Sequence, residues 1–207
     1  MSLTYQTTPT RPATRSDRSG VAAALSGAFV DDPVFEWIFP DRATRVPLLP
    51  PLFEAFAEAF ARHDETHVVG EHGAVTAVAM WSPPGVEPVH PDDEAAFEER
   101  VAPLLGEHAD RWNVCLEVFG AAHPSEPAWF LQFVGVPPDH QGRGLGSVLL
   151  RDVLARADAA GEAAYLEATN ERNRALYERH GFRSVGELTL PDGPTAFAMW
   201  REPGAGR

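Results

Sequence analysis

The chain has 207 residues, 44% hydrophobic and 23% charged, a globular rather than disordered composition, and it is long enough to bury a core without covalent staples. Acidic residues outnumber basic ones by 30 to 17, for a net charge of -13, which argues against a general nucleic-acid binder that neutralises phosphates. All basic residues other than histidine are arginine, so Schiff-base and Walker-loop chemistry, which need lysine, are excluded, and the single Cys115 excludes an internal disulfide or a multi-cysteine zinc site.

Residues 1–12 form a polar, flexible lead-in, with a short edge strand around Tyr5–Arg11. Asp17 or Ser16 caps a helix with Val21, Leu25, Ala28 and Phe29 on one stripe. Three prolines in Val30–Pro47 predict an irregular loop with short turns. Leu48, Leu52, Phe56 and Phe60 recur at helical spacing up to Arg62, and the Pro50–Pro51 pair suggests that the regular helix begins there. Thr66–Val69 and Ala74–Trp81 read as a hairpin turning at His72–Gly73. A proline-rich loop, Ser82–Pro91, precedes two helices, Asp92–Leu105 and Glu107–Phe119, separated near Gly106.

Ala128–Val136 carries apolar residues on both faces, which marks a central strand. Leu145–Ala159 is an amphipathic helix with Leu145, Val148, Leu149, Val153 and Leu154 on its apolar side. Ala163–Ala168 is a further buried strand, and Arg172–His180 a short helix ended by Gly181. Phe182–Leu188 and Thr195–Arg201 are strands joined by the turn at Pro191–Pro194. The composition does not shift enough to split the chain, which predicts one domain over 1–207.

The chemistry concentrates where the central strand runs through Asp139 and His140 into Gln141-Gly142-Arg143-Gly144-Leu145-Gly146-Ser147 and opens the helix. Helix-start amides have no intrahelical partner and the helix dipole favours negative charge, so this turn suits an anion. Gly142, Gly144 and Gly146 let the backbone approach closely, and Arg143 adds a charge-assisted contact. A dinucleotide fingerprint would need glycine where Ser147 stands.

The Gln-x-x-Gly-x-Gly pattern that remains resembles the pyrophosphate loop of the GCN5-related N-acetyltransferases (GNAT). A second stretch, from Leu166-Glu167-Ala168-Thr169-Asn170 through Leu176-Tyr177-Glu178 to Gly181-Phe182, resembles the C-terminal signature of that family. With Glu126–Leu131 and the Pro191–Pro194 hairpin, the resemblance is closest to the puromycin N-acetyltransferase-like members. It is specific over 126–200, with the cofactor-binding core at 128–182.

The resemblance implies an α/β (α+β) GNAT fold: a central mixed, mostly antiparallel, twisted sheet of about six to seven strands flanked by helices, with a splayed parallel pair. It implies acetyl-CoA as cosubstrate, no metal, and acetyl transfer to a primary amine of a small molecule by direct attack in a ternary complex. The alternatives are a protein N-terminal or lysine acceptor, or a non-catalytic acyl-CoA sensor. The backbone at Val134 and Val136 would pair with the pantetheine arm, the loop Gln141–Ser147 would hold the pyrophosphate, and Asn170 or Asn173 would contact the cofactor. Tyr177 matches the general acid of the family. Glu167 is the first candidate for the base, followed by Glu126 and His123. A loop bearing Asp31 and Asp32, with Trp37 and Trp81 nearby, is expected to attract and wall the cationic acceptor. A cytoplasmic monomer or homodimer, without nucleic-acid or membrane partners, completes these expectations.

Overall fold

The structure is a computed structural model that describes residues 9–71 and 74–206. In chain order the elements are β1 (Thr10–Pro12), α1 (Arg18–Phe29), α2 (Pro33–Ile38), α3 (Arg42–Ala59), β2 (Thr66–Glu71), β3 (Ala74–Ser82), α4 (Glu94–Leu105), α5 (Ala109–Ala122), β4 (Trp129–Gly135), α6 (Leu145–Ala160), β5 (Ala164–Ala168), α7 (Glu171–Glu178), β6 (Arg183–Thr189) and β7 (Thr195–Arg201). Among the described residues, seven strands form one sheet in the order β1-β2-β3-β4-β5-β7-β6. The β4–β5 pair is parallel and the others are antiparallel. The mixed, mostly antiparallel sheet expected from the resemblance is therefore present. The proposed hairpin turn at His72–Gly73 and the edge-strand positions before Pro9 lie outside the described residues.

Strand periodicity builds the two faces. On β3, Val78 and Met80 pack into the core beneath α1–α5, while Ala77, Ala79 and Trp81 pack into the core beneath α6 and α7. On β4, Trp129 and Leu131 join the second core, and an irregularity in the pairing, Met80↔Phe133 followed by Trp81↔Leu131, turns Phe133 into the first. Helix α1 lies so close to β4 that a Cβ at Gly135 would come within 2.9 Å of Leu25 Cδ2 and 3.0 Å of Ala28 Cβ. A side chain there would force Leu25 and Ala28 of α1 to shift.

The region 30–47 departs from its expected irregularity. Asp32 caps α2, its Oδ1 accepting from Val34 N at 3.0 Å, with Pro33 in the first turn where its fixed φ suits a helix. Asp41 Oδ1 accepts from Ala43 N at 3.0 Å and starts α3 at Arg42, eight residues ahead of the Pro50–Pro51 pair. Pro47, Pro50 and Pro51 lie inside α3. The backbone bonds they forfeit are outweighed by burial of Leu48, Leu49, Leu52, Phe53 and Phe56. Arg45, buried in α3, donates to Val30 O at 2.7 Å and Phe39 O at 2.5 Å, and so pins both ends of the α2 segment. Other boundaries lie within about three residues of expectation. Among the described residues no helix is long and apolar enough to cross a membrane.

Candidate active site

Parallel pairing of β4 with β5 covers only Trp129↔Ala164, Phe130↔Tyr165 and Leu131↔Leu166. Beyond Leu131 both strands continue, β4 to Gly135 and β5 to Ala168, but they splay apart. On its other side β4 stays paired with β3 as far as Val78↔Gly135. The segment Gln132–Gly135 thus presents one unpaired backbone edge inside the sheet, a position where an extended ligand can complete the ladder.

The wedge opens into a cleft of about 900 Å³ whose walls include Val134, Val136, Gln141, Gly142, Asn170 and Tyr177. Its floor is the turn into α6. Gly142 and Gly144 both have φ of +76°, which favours glycine, and an added Cβ at either would meet no protein atom within 4 Å. A cradle lined by bare backbone therefore stands at the helix start. Val148 N bonds Gly144 O at 3.1 Å, which leaves the amides of Leu145, Gly146 and Ser147 in the unpaired first turn of α6. Such donors fit a diphosphate. Ser147 Oγ lies 3.0 Å from His180 Nε2, which fixes its place at the rim.

Two candidate cofactor residues sort by geometry. Asn170 caps α7, its Oδ1 accepting from Asn173 N at 2.9 Å. Asn173 borders both this cleft and a second cavity. Arg143 is exposed and does not border the cleft. Its Nη2 donates back to Asp139 O at 3.0 Å, so the expected charge-assisted contact is not preformed.

The second cavity, about 570 Å³, lies under α2–α5, and Phe29, Val134, Asn173 and Tyr177 form its boundary with the cleft. Tyr177 is 5% exposed, on α7. Burial pushes its phenol up, and nearby Asp32 pushes it further, so the hydroxyl remains protonated at neutral pH. Glu167 lines the second cavity. Its accessible surface faces that cavity while protein encloses it elsewhere, and the lost hydration pushes its carboxyl up to about 8. A hydrogen bond with Tyr165, on the same strand face, draws it partly back. His123 also lines this cavity, whereas Glu126 borders neither space.

The expected acidic loop is corrected. Asp31 faces Arg42, with Oδ1 3.3 Å from Nε. Asp32 is buried as the α2 cap, with its other oxygen accepting from Thr169 Oγ1. Both border the cleft rather than the second cavity. Trp37 and Trp81 are not acceptor walls either. Trp37 Nε1 donates to Pro191 O at 3.0 Å beneath Arg111, and Trp81 is fully buried on the α6 face. Sequence reading missed Phe29, Phe35, Phe56, Phe97 and Phe133, which wall the second cavity. Their only sequence signal is helical or strand periodicity, which core packing produces equally. Cys115 lines the same cavity, and burial, reinforced by Glu167 and Asp32, pushes its thiol up to about 12. A thiol raised this far holds little thiolate at neutral pH.

The model of the acetyltransferase (GNAT) family matches residues 32–182. A crystal structure from Corynebacterium glutamicum, described as histone acetyltransferase HPA2 and related acetyltransferase, is 31% identical with a TM-score of 0.71, over 94% of this chain and 96% of that one. An uncharacterized N-acetyltransferase of Schizosaccharomyces pombe is 27% identical over 177 residues, 80% of this chain and 70% of its own. The N-alpha-acetyltransferase RimI of Mycobacterium tuberculosis is 40% identical over 76 residues, which is 34% of this chain and 47% of that protein.

Proposed function

Because the chain belongs to the GNAT family and is thus an acyl-CoA-dependent N-acetyltransferase, we propose that it acetylates a primary amine of a small molecule directly, in a ternary complex. The observation that carries this reading is the junction of the two cavities at Tyr177, Val134, Asn173 and Phe29. One space has the bare backbone and amide donors that suit a CoA diphosphate and pantetheine arm. The other is a largely apolar chamber with Glu167 of β5 in its wall and a second carboxylate, Glu87, only on its exposed side.

Bound acetyl-CoA would supply a thioester acetyl group. The open edge of β4 at Gln132–Gly135 would hold the pantetheine arm as an added strand, with the N–H near Val134 polarising the thioester carbonyl. Residues Gln141–Ser147 would bind the diphosphate through backbone amides, while Asn170 shapes the rim by capping α7 and Asn173 reaches the junction. Glu167 would take a proton from the incoming ammonium, whose ordinary pKa of about 10 keeps it charged at neutral pH. Its own elevated pKa brings it nearer to that of the amine than an ordinary carboxylate would be. Tyr177, held protonated, would donate to the departing thiolate as the C–S bond breaks and the C–N bond forms. The elevated pKa of Cys115 favours this direct route over an acyl-enzyme.

Thiol release from acetyl-CoA with a panel of small amines, N-terminal peptides and lysine peptides tests the reading. Turnover of small amines, with kcat reduced at least tenfold in Tyr177→Phe, is expected. Turnover restricted to peptides, or acetyl-CoA binding without turnover of any acceptor, would refute it.

A further inference from the structure

The second cavity narrows the acceptor further. Among the ring-bearing side chains that line it, Phe29, Phe35, Phe56, Phe97 and Trp112 come from five different helices and Phe133 from β4. They contact one another edge to face. Phe56 and Phe97 have ring centres 4.9 Å apart at 62°, Phe56 and Phe133 5.0 Å at 75°, and Phe29 and Phe133 5.6 Å at 80°. These are the tilted geometries that aromatic rings favour, so a further ring can extend the cluster without disturbing it. The volume, about 570 Å³, falls within the roughly 300–1,000 Å³ of small-ligand pockets.

The polar groups are unevenly distributed. Glu167, Thr169, Asn173 and Tyr177 come from β5, α7 and the turn between them, and of these Asn173 and Tyr177 also border the cofactor cleft. Glu87 and His123 are exposed, where the wall meets solvent. No arginine stands among the described lining residues, although the chain holds seventeen. A carboxylate carried into this space would meet Glu167 and hydrocarbon, with no cation to pair. A long polyamine would find a second carboxylate only at Glu87, on the exposed side of the wall.

We propose that the acceptor is an aromatic primary amine without an acidic group, its ring seated against Phe56, Phe97 and Phe133 and its nitrogen placed between Glu167 and Tyr177. This assignment rests on the reading of the protein as a small-amine acetyltransferase, and it determines which amines are acetylated.

The test measures thiol release at saturating acetyl-CoA with 2-phenylethylamine, phenylalanine, cadaverine and a tetrapeptide with a free N-terminal alanine. 2-Phenylethylamine and phenylalanine differ only by the carboxylate, so this pair isolates the absence of a cation. A kcat/KM for 2-phenylethylamine at least tenfold above each of the others supports the proposal. Equal or better turnover of any of the other three overturns the aromatic assignment while leaving acetyl transfer itself standing. Failure to acetylate any amine, despite acetyl-CoA binding by calorimetry, overturns both. Phe97 is half-buried on α4, so Phe97→Ala removes ring contact from the wall with little threat to folding. A fivefold or greater rise in KM for 2-phenylethylamine, with an unchanged acetyl-CoA Kd, is expected. An unchanged KM would overturn the placement of the ring.

Discussion

Replacing Glu167 with glutamine separates its chemistry from its fit. Its carboxyl titrates at about 8 in the folded chain against an ordinary 4.5. Below the lower value both folded and unfolded chains hold the proton, and the group makes no difference to stability. Between the two values the unfolded chain releases the proton while the folded chain keeps it, so stability falls as pH rises. Above about 8 the deficit is constant. At about 1.36 kcal/mol per pH unit the limit is ~5 kcal/mol. Water reaching the cavity wall screens the carboxylate, which reduces the expected deficit to ~2 kcal/mol. Glu167→Gln cannot ionise, so it should be more stable than the parent by ~2 kcal/mol at pH 8.5 and by less than ~1 kcal/mol at pH 5. Urea unfolding followed by tryptophan fluorescence at both pH values reads the difference. In parallel, the kcat/KM of the parent should rise with pH through one ionisation near 8, and the variant should lose both the rate and that ionisation. A stability difference independent of pH would refute the buried-carboxyl argument. A variant that kept its rate would refute the assignment of the base.

Gly144→Val puts a β-branched side chain at φ of +76° and into the open space of the cradle. Acetyl-CoA Kd measured by calorimetry should rise at least tenfold, about 1.4 kcal/mol, and an unaltered Kd would remove the loop from the cofactor site. Burial pushes Glu65 up, but hydrogen bonds from His67 and Arg156 outweigh it and hold the carboxyl down at about 2. Its stabilisation is complete above the ordinary value of 4.5 and is lost as pH falls toward 2, so Glu65→Gln should cost ~1–2 kcal/mol at pH 7, Arg156 being half exposed. In denaturant titrations that difference should shrink below pH 4.5, and a constant difference would contradict the ion-pair account. Cys115, raised to about 12, should be alkylated by iodoacetamide at pH 8 at least a hundredfold more slowly than free cysteine. Mass spectrometry showing comparable rates would mean that the cavity leaves the thiol exposed and ionised.

The turn and helix start proposed to hold the cofactor were legible as structure because their signals are local. A central strand, a turn needing positive φ at Gly142 and Gly144, and an amphipathic helix from Leu145 follow within one short segment, and each leaves its own mark on the chain. β7 and the start of α6 fall at their expected residues for the same reason. Prolines misled the reading of residues 30–47, because the sequence shows the lost backbone bonds and not the burial of Leu49, Leu52 and Phe53 that offsets them. Asn170 and Asn173 could not be ranked from spacing. Only the three-dimensional cap, Asn173 N to Asn170 Oδ1 at 2.9 Å, shows that one is engaged with the helix while the other reaches the junction.

The chamber proposed for the acceptor is different in kind. Its aromatic walls come from α1 through α5 and β4, so no single segment encodes it, and each phenylalanine satisfies the same periodicity whether it faces a filled core or an open chamber. Asp31 and Asp32 show the consequence. Adjacent acids before a proline suggested an attractor for a cation, yet one pairs with Arg42 and the other holds the first turn of α2 and the hydroxyl of Thr169. Glu167, which does line the chamber, sits on a strand among buried neighbours, where a charged acid with no cation beside it is costly. That cost is the physical signal worth seeking in a sequence of this kind. A carboxylate in a buried strand, with no lysine or arginine beside it, is retained against its own desolvation, and here the structure opens a cavity in front of it.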